Sequence, residues 1–218
     1  MITINTKPSS RRLLRRSKWW GLPEEPMEED RFDSVPIEGM TWDNGQQYNY
    51  PLTLVCQIRC SDIAQLDAEG LLPHTGMLWF YAALDYYRGE RIWKIRPGIG
   101  EWDRQYYKVY YSPTCQGLTE VIRINKKGKK YIGVDIPAET IQFSNSGIDF
   151  SACLLGCPFP NKVSELSEGM IPLLQLKSDN RWGLRLPRNG VLTFMISPED
   201  LATRRFSEVR VFVYPLRK

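Results

Sequence analysis

The chain contains one short unit twice. The first copy has an apolar run around Gln57, followed by L-P-H-T-G-M-L-W-F at 72–80. The second has an apolar run around Gln175, followed by L-P-R-N-G-V-L-T-F at 186–194. A recurring unit of this kind is typical of a duplicated scaffold, and neither copy carries a recognisable set of catalytic side chains. The repeat therefore predicts an architecture rather than a reaction.

Composition places the chain among globular proteins. Its 218 residues, 42% of them hydrophobic, suit one large domain or two closely packed halves. The 29 Lys and Arg residues against 25 Asp and Glu give a net charge of +4, which is too small to predict a polyanionic partner. Residues 1–20 lack the apolar centre of a signal peptide, and the longest apolar run, at 77–84, is too short to span a bilayer. We therefore expect a cytoplasmic protein.

The cysteines fit a reducing compartment. Their number, five, is odd, which argues against a framework of disulfides. Two pairs, Cys56 with Cys60 and Cys153 with Cys157, have a spacing that some zinc sites use. In a continuous strand the sulfurs of the first pair would lie roughly 13 Å apart, too far to share a metal. Because His74 is the only histidine, we expect buried thiols and neither a metal nor a cofactor.

Residue patterns predict an α+β fold that is mainly antiparallel sheet, with an internal duplication of the strand–loop–strand unit and few short helices. β-Branched and aromatic residues predict strands at 51–58, 76–84, 91–95, 106–111, 120–124 and 206–214, besides those of the second copy at 171–196. Short helices are predicted at 61–69, at 136–141 and from Pro198, with Ser197 as N-cap. Residues 24–49 resemble a loop, and 121–134 a hairpin with a basic tip.

The domain organisation follows from these patterns. Residues 1–18 are predicted to form a basic N-terminal arm or a short helix, with Ser9 or Ser10 as its cap. Residues 19–218 are predicted to form a single domain with two pseudo-repeats, at about 50–111 and 171–214.

Several blocks, in order, resemble the YwqG-like proteins, a bacterial family of unknown function. The first is S-K-W-W-G-L-P at 17–23, where Trp20 replaces the first glycine of the family's S-K-x-G-G-x-P. The others are P-L-T-L-V-C-Q-I at 51–58 with the following L-P-x-x-G-x-L-x-F, L-L-G-C-P at 154–158, L-L-Q-L-K-S-D at 173–179, G-V-L-T-F-M-I at 190–196 and the ending at 199–209. The chain departs from the family in a shorter middle and in lacking the Asp of a W-G-D motif after Trp182 and Gly183. The resemblance covers roughly 17–214 and implies an α+β fold with an internal duplication and no established activity.

The residues of the repeat allow two interpretations. The stretch L-P-H-T-G at 72–76 fits a cell-wall sorting signal, but its recurrence at 186–190 favours a turn. Gln57 and Gln175 are polar amides within apolar strands, and such groups need partners. Each either holds the backbone of a neighbouring loop or contacts a ligand in a cleft between the two copies.

Two basic elements are candidate partner-binding sites. The first interleaves cations and aromatic rings at Arg12, Arg16, Lys18, Trp19 and Trp20. This composition suits phosphate contacts and base stacking, although a surface segment packed on the body has it too. The second is the hairpin tip with Lys127 and Lys129, which also suits a solvated turn that blocks edge pairing of sheets.

We therefore expect a non-catalytic binding domain whose partner is another protein. One alternative is a nucleic-acid-binding protein that uses the arm and the Lys-rich hairpin, and another is a small-ligand or enzymatic cleft between the repeats. Catalysis is disfavoured because the single histidine lies beside Pro73 in a turn and no Gly-rich phosphate loop precedes a helix.

Overall fold

A computed structural model describes residues 1–26, 34–41, 44–90, 92, 94–122, 136–145 and 151–216. Its strands are β1 (Ile2–Pro8), β2 (Lys18–Trp19), β3 (Glu24–Pro26), β4 (Ser34–Thr41), β5 (Gln47–Pro51), β6 (Thr53–Arg59), β7 (Met77–Ala82), β8 (Gly100–Glu101), β9 (Tyr107–Ser112), β10 (Leu118–Glu120), β11 (Glu139–Ser144), β12 (Ala152–Leu154), β13 (Ile171–Lys177), β14 (Val191–Ile196) and β15 (Arg210–Tyr214). Its α-helices are α1 (Asn161–Leu166) and α2 (Pro198–Ala202), and 3₁₀ helices lie at Cys60–Asp62, Tyr86–Arg88, Arg104–Tyr106, Asn180–Trp182, Pro187–Asn189 and Phe206–Glu208. None of the described helices is long and apolar enough to cross a membrane.

One large sheet dominates the fold, and all of its described strand pairs are antiparallel, as predicted. Its order is β8-β15-β14-β13-β12-β1-β11-β2-β6-β7-β9, and two small sheets, β10-β3 and β4-β5, lie apart from it. From the central pair, the strands run outward in chain order on each side. These are β12, β13, β14 and β15 beside β1, and β2, β6, β7 and β9 beside β11. The first half of the sheet (β1, β2, β6, β7, β9) and the second half (β11 to β15) therefore have the same topology.

The two halves exchange their first strands. β1 pairs with β12 of the second half, and β11 pairs with β2 of the first half. β1 and β11 also pair with each other, with Asn5 opposite Gln142. The pairings on the two sides of this residue pair correspond strand by strand, so a pseudo-two-fold axis passes through it.

The correspondence extends to single residues. Gln57 lies opposite Trp79 in the β6–β7 ladder, and Gln175 lies opposite Thr193 in the β13–β14 ladder. Each ladder has a bulge two residues before its glutamine, at Val55 in β6 and Leu173 in β13. The bulge thus lies at the same position in both copies of the repeated sequence.

The sheet curls so that the inner faces of its halves meet. Phe80 of β7 and Phe194 of β14 are equivalent residues, and their ring centroids are 5.4 Å apart. Six strands separate β7 from β14, and in a flat sheet the two strands would lie roughly 34 Å apart. The main core fills the space enclosed by the curl, where Ile58 and Leu176 are fully buried.

The outer faces of the halves are covered differently. In the first half, Val35 from β4 and Leu118 from β10 pack in a cluster with Trp79. In the second half, Val163 of α1 packs with Met195 and Phe212. The repeat thus describes the large sheet and not the elements laid on it.

The prediction for the N-terminal region was wrong. β1 lies at the centre of the sheet, where Ile2 and Ile4 are 1% and 3% exposed, and residues 9–17 contain no helix. The basic segment is therefore a connection between two strands rather than an arm. Pairing with strands distant in the sequence determined this outcome, and a charge pattern cannot show such pairing.

Other local predictions also need correction. The helix predicted at 136–141 is replaced by the beginning of β11, and the predicted loop at 24–49 contains β3, β4 and most of β5. Residues 61–69 contain turns after the 3₁₀ helix, and the described residues of 91–95 form no strand. The cap at Ser197 is confirmed, because its hydroxyl accepts a hydrogen bond from the Asp200 N–H at 3.0 Å. The tip with Lys127 and Lys129 lies outside the described residues.

Candidate functional site

The two glutamines of the repeat hold loops. Gln57 accepts a hydrogen bond from the Glu24 N–H at 3.3 Å and donates to the Arg16 carbonyl at 3.0 Å. Gln175 accepts from the Phe159 N–H at 3.1 Å and donates to the Cys157 carbonyl at 2.9 Å. Both side chains are 0% exposed. Of the two interpretations, the hydrogen bonds match the structural one, since each amide joins a loop to a strand in its own half.

A buried ion pair lies beside the first glutamine. The Lys18 Nζ is 2.9 Å from the Glu24 Oε1, and each residue is 1% exposed. The second carboxylate oxygen accepts from the Arg15 N–H at 2.6 Å. At the equivalent positions of the second half stand Cys153 and Phe159. Lys18 is therefore committed to the interior and is unavailable to a partner at the surface.

The paired tryptophans are core residues. Trp19 and Trp20 are 0% and 1% exposed, and the Trp19 ring centroid is 4.9 Å from that of Trp182. Their indole rings cannot stack on a base in this fold, which removes the aromatic half of the predicted nucleic-acid site. Both had been candidates because clusters of tryptophan and cations have the same composition in a core and at an interface.

The predicted arginines do lie at the surface. Arg12 forms an ion pair with Glu120, at 2.5 Å between Nη2 and Oε2, and this hydrogen bond raises the pKa of Arg12. Arg16 is exposed, while its carbonyl is held by Gln57. The structure thus separates the exposed arginines from the buried lysine and tryptophans that neighbour them in the sequence.

Burial makes most of the thiols poor nucleophiles. Desolvation raises the pKa of Cys60 and of Cys153 to about 12, and that of Cys56 well above its usual value. Cys157 is exposed, and all five cysteines are free. In the part of the chain that the structure describes, no group of three or more His, Cys, Asp or Glu side chains is placed to hold a metal ion.

The first half of the sheet ends in an open edge. Within the described residues, β9 pairs only with β7. The Ala83 N–H donates to the Tyr106 carbonyl at 2.8 Å, so these two residues form a hydrogen-bonded pair. Hydrogen-bonded and non-hydrogen-bonded pairs alternate along an antiparallel ladder. The backbone N–H and C=O groups of Tyr107, Val109 and Tyr111 therefore point away from β7. Such an edge is a template on which a further strand can form.

The equivalent edge of the second half is covered. β8 pairs with β15, with Glu101 opposite Phe212, and the Trp102 N–H donates to the Val211 carbonyl at 2.8 Å. Val211 lies opposite Phe194 just as Val109 lies opposite Phe80, so the two valines are equivalent. The described halves therefore differ by one strand at their outer edges.

A helical turn explains why, among the described residues, β9 has no neighbour equivalent to β8. A 3₁₀ helix precedes the last strand in each half, at Arg104–Tyr106 and Phe206–Glu208. The segment before the first is extended and forms β8. The segment before the second 3₁₀ helix forms the C-terminal end of α2 instead. There the Arg204 N–H donates to the Leu201 carbonyl at 3.0 Å, and Arg204 has a φ of +57°.

A groove of about 350 Å³ lies along the edge of β9 that no described strand covers. Its walls are residues 107–111 and 204–207 with Arg104. Two of its cations are paired, Arg104 with Glu208 at 2.7 Å and Arg205 with Asp200 at 2.8 Å. The groove thus combines open backbone with a basic lining.

The other two cations of the groove, Lys108 and Arg204, are exposed and form no ion pair with a described residue. The Arg204 guanidinium lies 5.5 Å from the ring centroid of Tyr111, an arrangement that holds its charge beside the edge of β9. Both residues line the groove and contribute positive charge to it.

Comparison with known families gives one match. Residues 34–152 and 158–213 match a family described as Domain of unknown function (DUF1963). The chain belongs to this family. The DUF1963 match contains both glutamines, the whole of β9 and all of β15 except Tyr214, so it includes both copies of the unit. No curated protein sequence matches the chain.

Sequence reasoning missed the groove of this DUF1963 protein. None of Arg104, Lys108 and Arg204 was a candidate, because cations spaced along a sequence resemble solvated surface. A signal was present in the final strands, where K-V-Y at 108–110 corresponds to R-V-F at 210–212. That correspondence identifies two equivalent edges, but it does not show which of them is covered.

Proposed function

We propose that this protein is a non-catalytic protein-interaction domain that binds an extended segment of a partner along β9. The observation that carries the proposal is the difference between the two edges, since β15 has β8 beside it and β9 has no described strand at the equivalent place. Addition of a strand to an exposed sheet edge is a common mode of peptide recognition, in which main-chain hydrogen bonds supply affinity. The groove beside β9 gives such a segment space for side chains.

The other candidate functions have less support. The junction between the halves is filled by Phe80 and Phe194, which leaves no cleft at that point for a substrate. Nucleic-acid binding has less support because Lys18, Trp19 and Trp20 are buried and cannot contact a nucleic acid. Five free cysteines support a cytoplasmic location as part of the proposal. Within DUF1963, the blocks quoted above support assignment to the bacterial YwqG-like proteins, which we propose as the finer classification.

The experiment uses a strand that is known to pair with an equivalent edge. A fluorescent peptide with the sequence of residues 97–103, P-G-I-G-E-W-D, capped at both ends, is titrated with the protein and its anisotropy is measured. We expect saturable binding, with slower amide exchange at Val109 and Tyr111 in the complex. Val109→Pro should abolish binding because it removes an outward N–H that β7 does not use, while Val109→Thr keeps that N–H and should bind.

Absence of binding to the unmodified protein would contradict the proposal, as would protection of amides elsewhere in place of Val109 and Tyr111. Because Val109 is buried and its replacement affects stability, the exchange measurement on the unmodified protein tests the proposal independently of the variant.

A further inference from the structure

We infer that the segment bound along β9 is acidic, with a carboxylate that pairs with Lys108. This inference rests on the proposed function and specifies the chemistry of the partner. Its basis is the covered edge of the second half, where the protein displays how it holds a strand at the equivalent place.

The covered edge uses one carboxylate besides its backbone bonds. Glu101 of β8 receives two hydrogen bonds from Arg210, from Nε to Oε1 at 2.7 Å and from Nη2 to Oε2 at 2.6 Å. Arg210 belongs to β15, two residues before Phe212, which lies opposite Glu101. The ion pair is therefore a diagonal contact across the β8–β15 ladder, and it fixes the register of a strand that has only two residues.

Lys108 of β9 is the residue of the first half that is equivalent to Arg210 of β15. Lys108 lies opposite Tyr81 in the β7–β9 ladder, and Arg210 lies opposite Met195 in the β14–β15 ladder. Tyr81 and Met195 follow the equivalent Phe80 and Phe194 by one residue. A strand added to β9 in the register of β8 would thus place its second residue opposite Tyr110 and within diagonal reach of Lys108.

The rest of the groove favours the same charge. Arg204 lies beside Tyr111 and has no carboxylate partner among the described residues, and Arg104 is on the same wall. No acidic residue is among those that line the groove. A neutral or basic segment would leave Lys108 and Arg204 without a counter-ion among the described residues, so charge complementarity selects an acidic one.

The test compares three capped peptides of the same length. The first is P-G-I-G-E-W-D, the second has Gln and Asn in place of its Glu and Asp, and the third has Lys in place of both. We expect the neutral peptide to bind roughly three- to tenfold more weakly than the acidic one and the basic peptide to bind more weakly still. The Lys108→Glu variant should no longer bind the acidic peptide and should bind the basic peptide. Lys7→Glu, at an exposed lysine of β1, is the control and should change neither.

The outcomes separate the two proposals. Equal affinity for acidic and neutral peptides, with Lys108→Glu without effect, would overturn the acidic segment while leaving strand addition in place. Failure of all three peptides to bind would contradict the proposed function itself. A charge-dependent affinity that Val109→Pro leaves intact would show attraction to a basic surface without strand addition, and would overturn the inference as stated.

Discussion

The first and second halves of the sheet share their topology, their bulge and the hydrogen bonds of their glutamines. Besides the elements that cover their outer faces, they differ at two places. One is the interior beside the glutamine, where the first half has Lys18 and Glu24 and the second has Cys153 and Phe159. The other is the outer edge, which β8 covers in the second half only. Shared features lie where both halves must form the same strands. The differences lie where the two halves do not need to form the same strands. These places are therefore candidates for function.

The largest effect is expected from breaking the buried ion pair. Lys18→Met should lower the free energy of unfolding by about 3–5 kcal/mol, because Glu24 would remain buried without its cation. Cys153→Ala, at the equivalent position, should cost about 1 kcal/mol. Urea denaturation of both variants measures the difference. A loss below about 1 kcal/mol in Lys18→Met would mean that the charge pair does not stabilise the first half.

The glutamines should show the opposite behaviour, a similar loss in both halves. Gln57→Leu and Gln175→Leu each leave a backbone N–H and a carbonyl without a partner, which should cost about 2–4 kcal/mol. Gln142→Leu, exposed on the pseudo-two-fold axis, is the matched control and should change stability by less than about 0.5 kcal/mol. Thermal or urea denaturation provides the comparison, and unchanged stability of either buried variant would argue against the loop-holding role.

Replacing the glycines of the two turns by alanine should destabilise the protein to different extents, and this difference should be smaller than the preceding effects. A Cβ at Gly76 would clash with the Ser112 carbonyl, and one at Gly190 would lie 2.6 Å from the Tyr214 carbonyl oxygen. Gly76 also has a φ of +83°, a left-handed conformation that an L-residue adopts at a cost of about 1–2 kcal/mol. Gly76→Ala should therefore be the more destabilising, by about that difference.

A third glycine isolates the backbone contribution. Gly45 has a φ of +80° and nothing within 4 Å of the Cβ position, so Gly45→Ala should show the cost of the conformation alone. Equal destabilisation by Gly76→Ala and Gly190→Ala in urea would show that the close approach to the last strand, and not the backbone angle, determines the loss.

The smallest effect concerns the covered edge and pH. Hydrogen bonds from Arg210 lower the pKa of Glu101 in the folded protein. A lowered folded pKa gives stability that is present above the unfolded pKa and is lost as the pH falls through the folded value. The side chains are 39% and 44% exposed, so the contribution should be about 0.2–1 kcal/mol.

Denaturation between pH 7 and pH 3 measures this contribution, with Glu101→Gln expected to lose it and to show a shallower decline in acid. Lys108→Gln, at the position of the open edge that is equivalent to Arg210, should leave the acid dependence unchanged. An equal change in both variants would remove the distinction between the edges.

Some elements could be predicted because their signals are local. Ser197 and Pro198 gave the start of α2, and the Leu-Pro-x-x-Gly turns gave β7 and β14. The errors fall on segments whose structure depends on distant partners. A helix was predicted at 136–141, but residues 139–141 pair with β1 and, at Glu139 and Thr140, with β2. Trp19 and Trp20 could be either core or interface, since only the surrounding fold decides which side chains are buried.

The sequence by itself determined the repeated unit, its antiparallel strands and the residues that its turns require, because hydrophobic alternation, proline and glycine act within a few residues. Only the tertiary structure decided that β1 and β11 change places between the halves and that Lys18 is buried. It also decided that β15 has a further strand beside it while β9 has none among the described residues. The physical reason is that strand pairing and burial depend on contacts between residues far apart in the chain. A local pattern of residues does not predict such contacts.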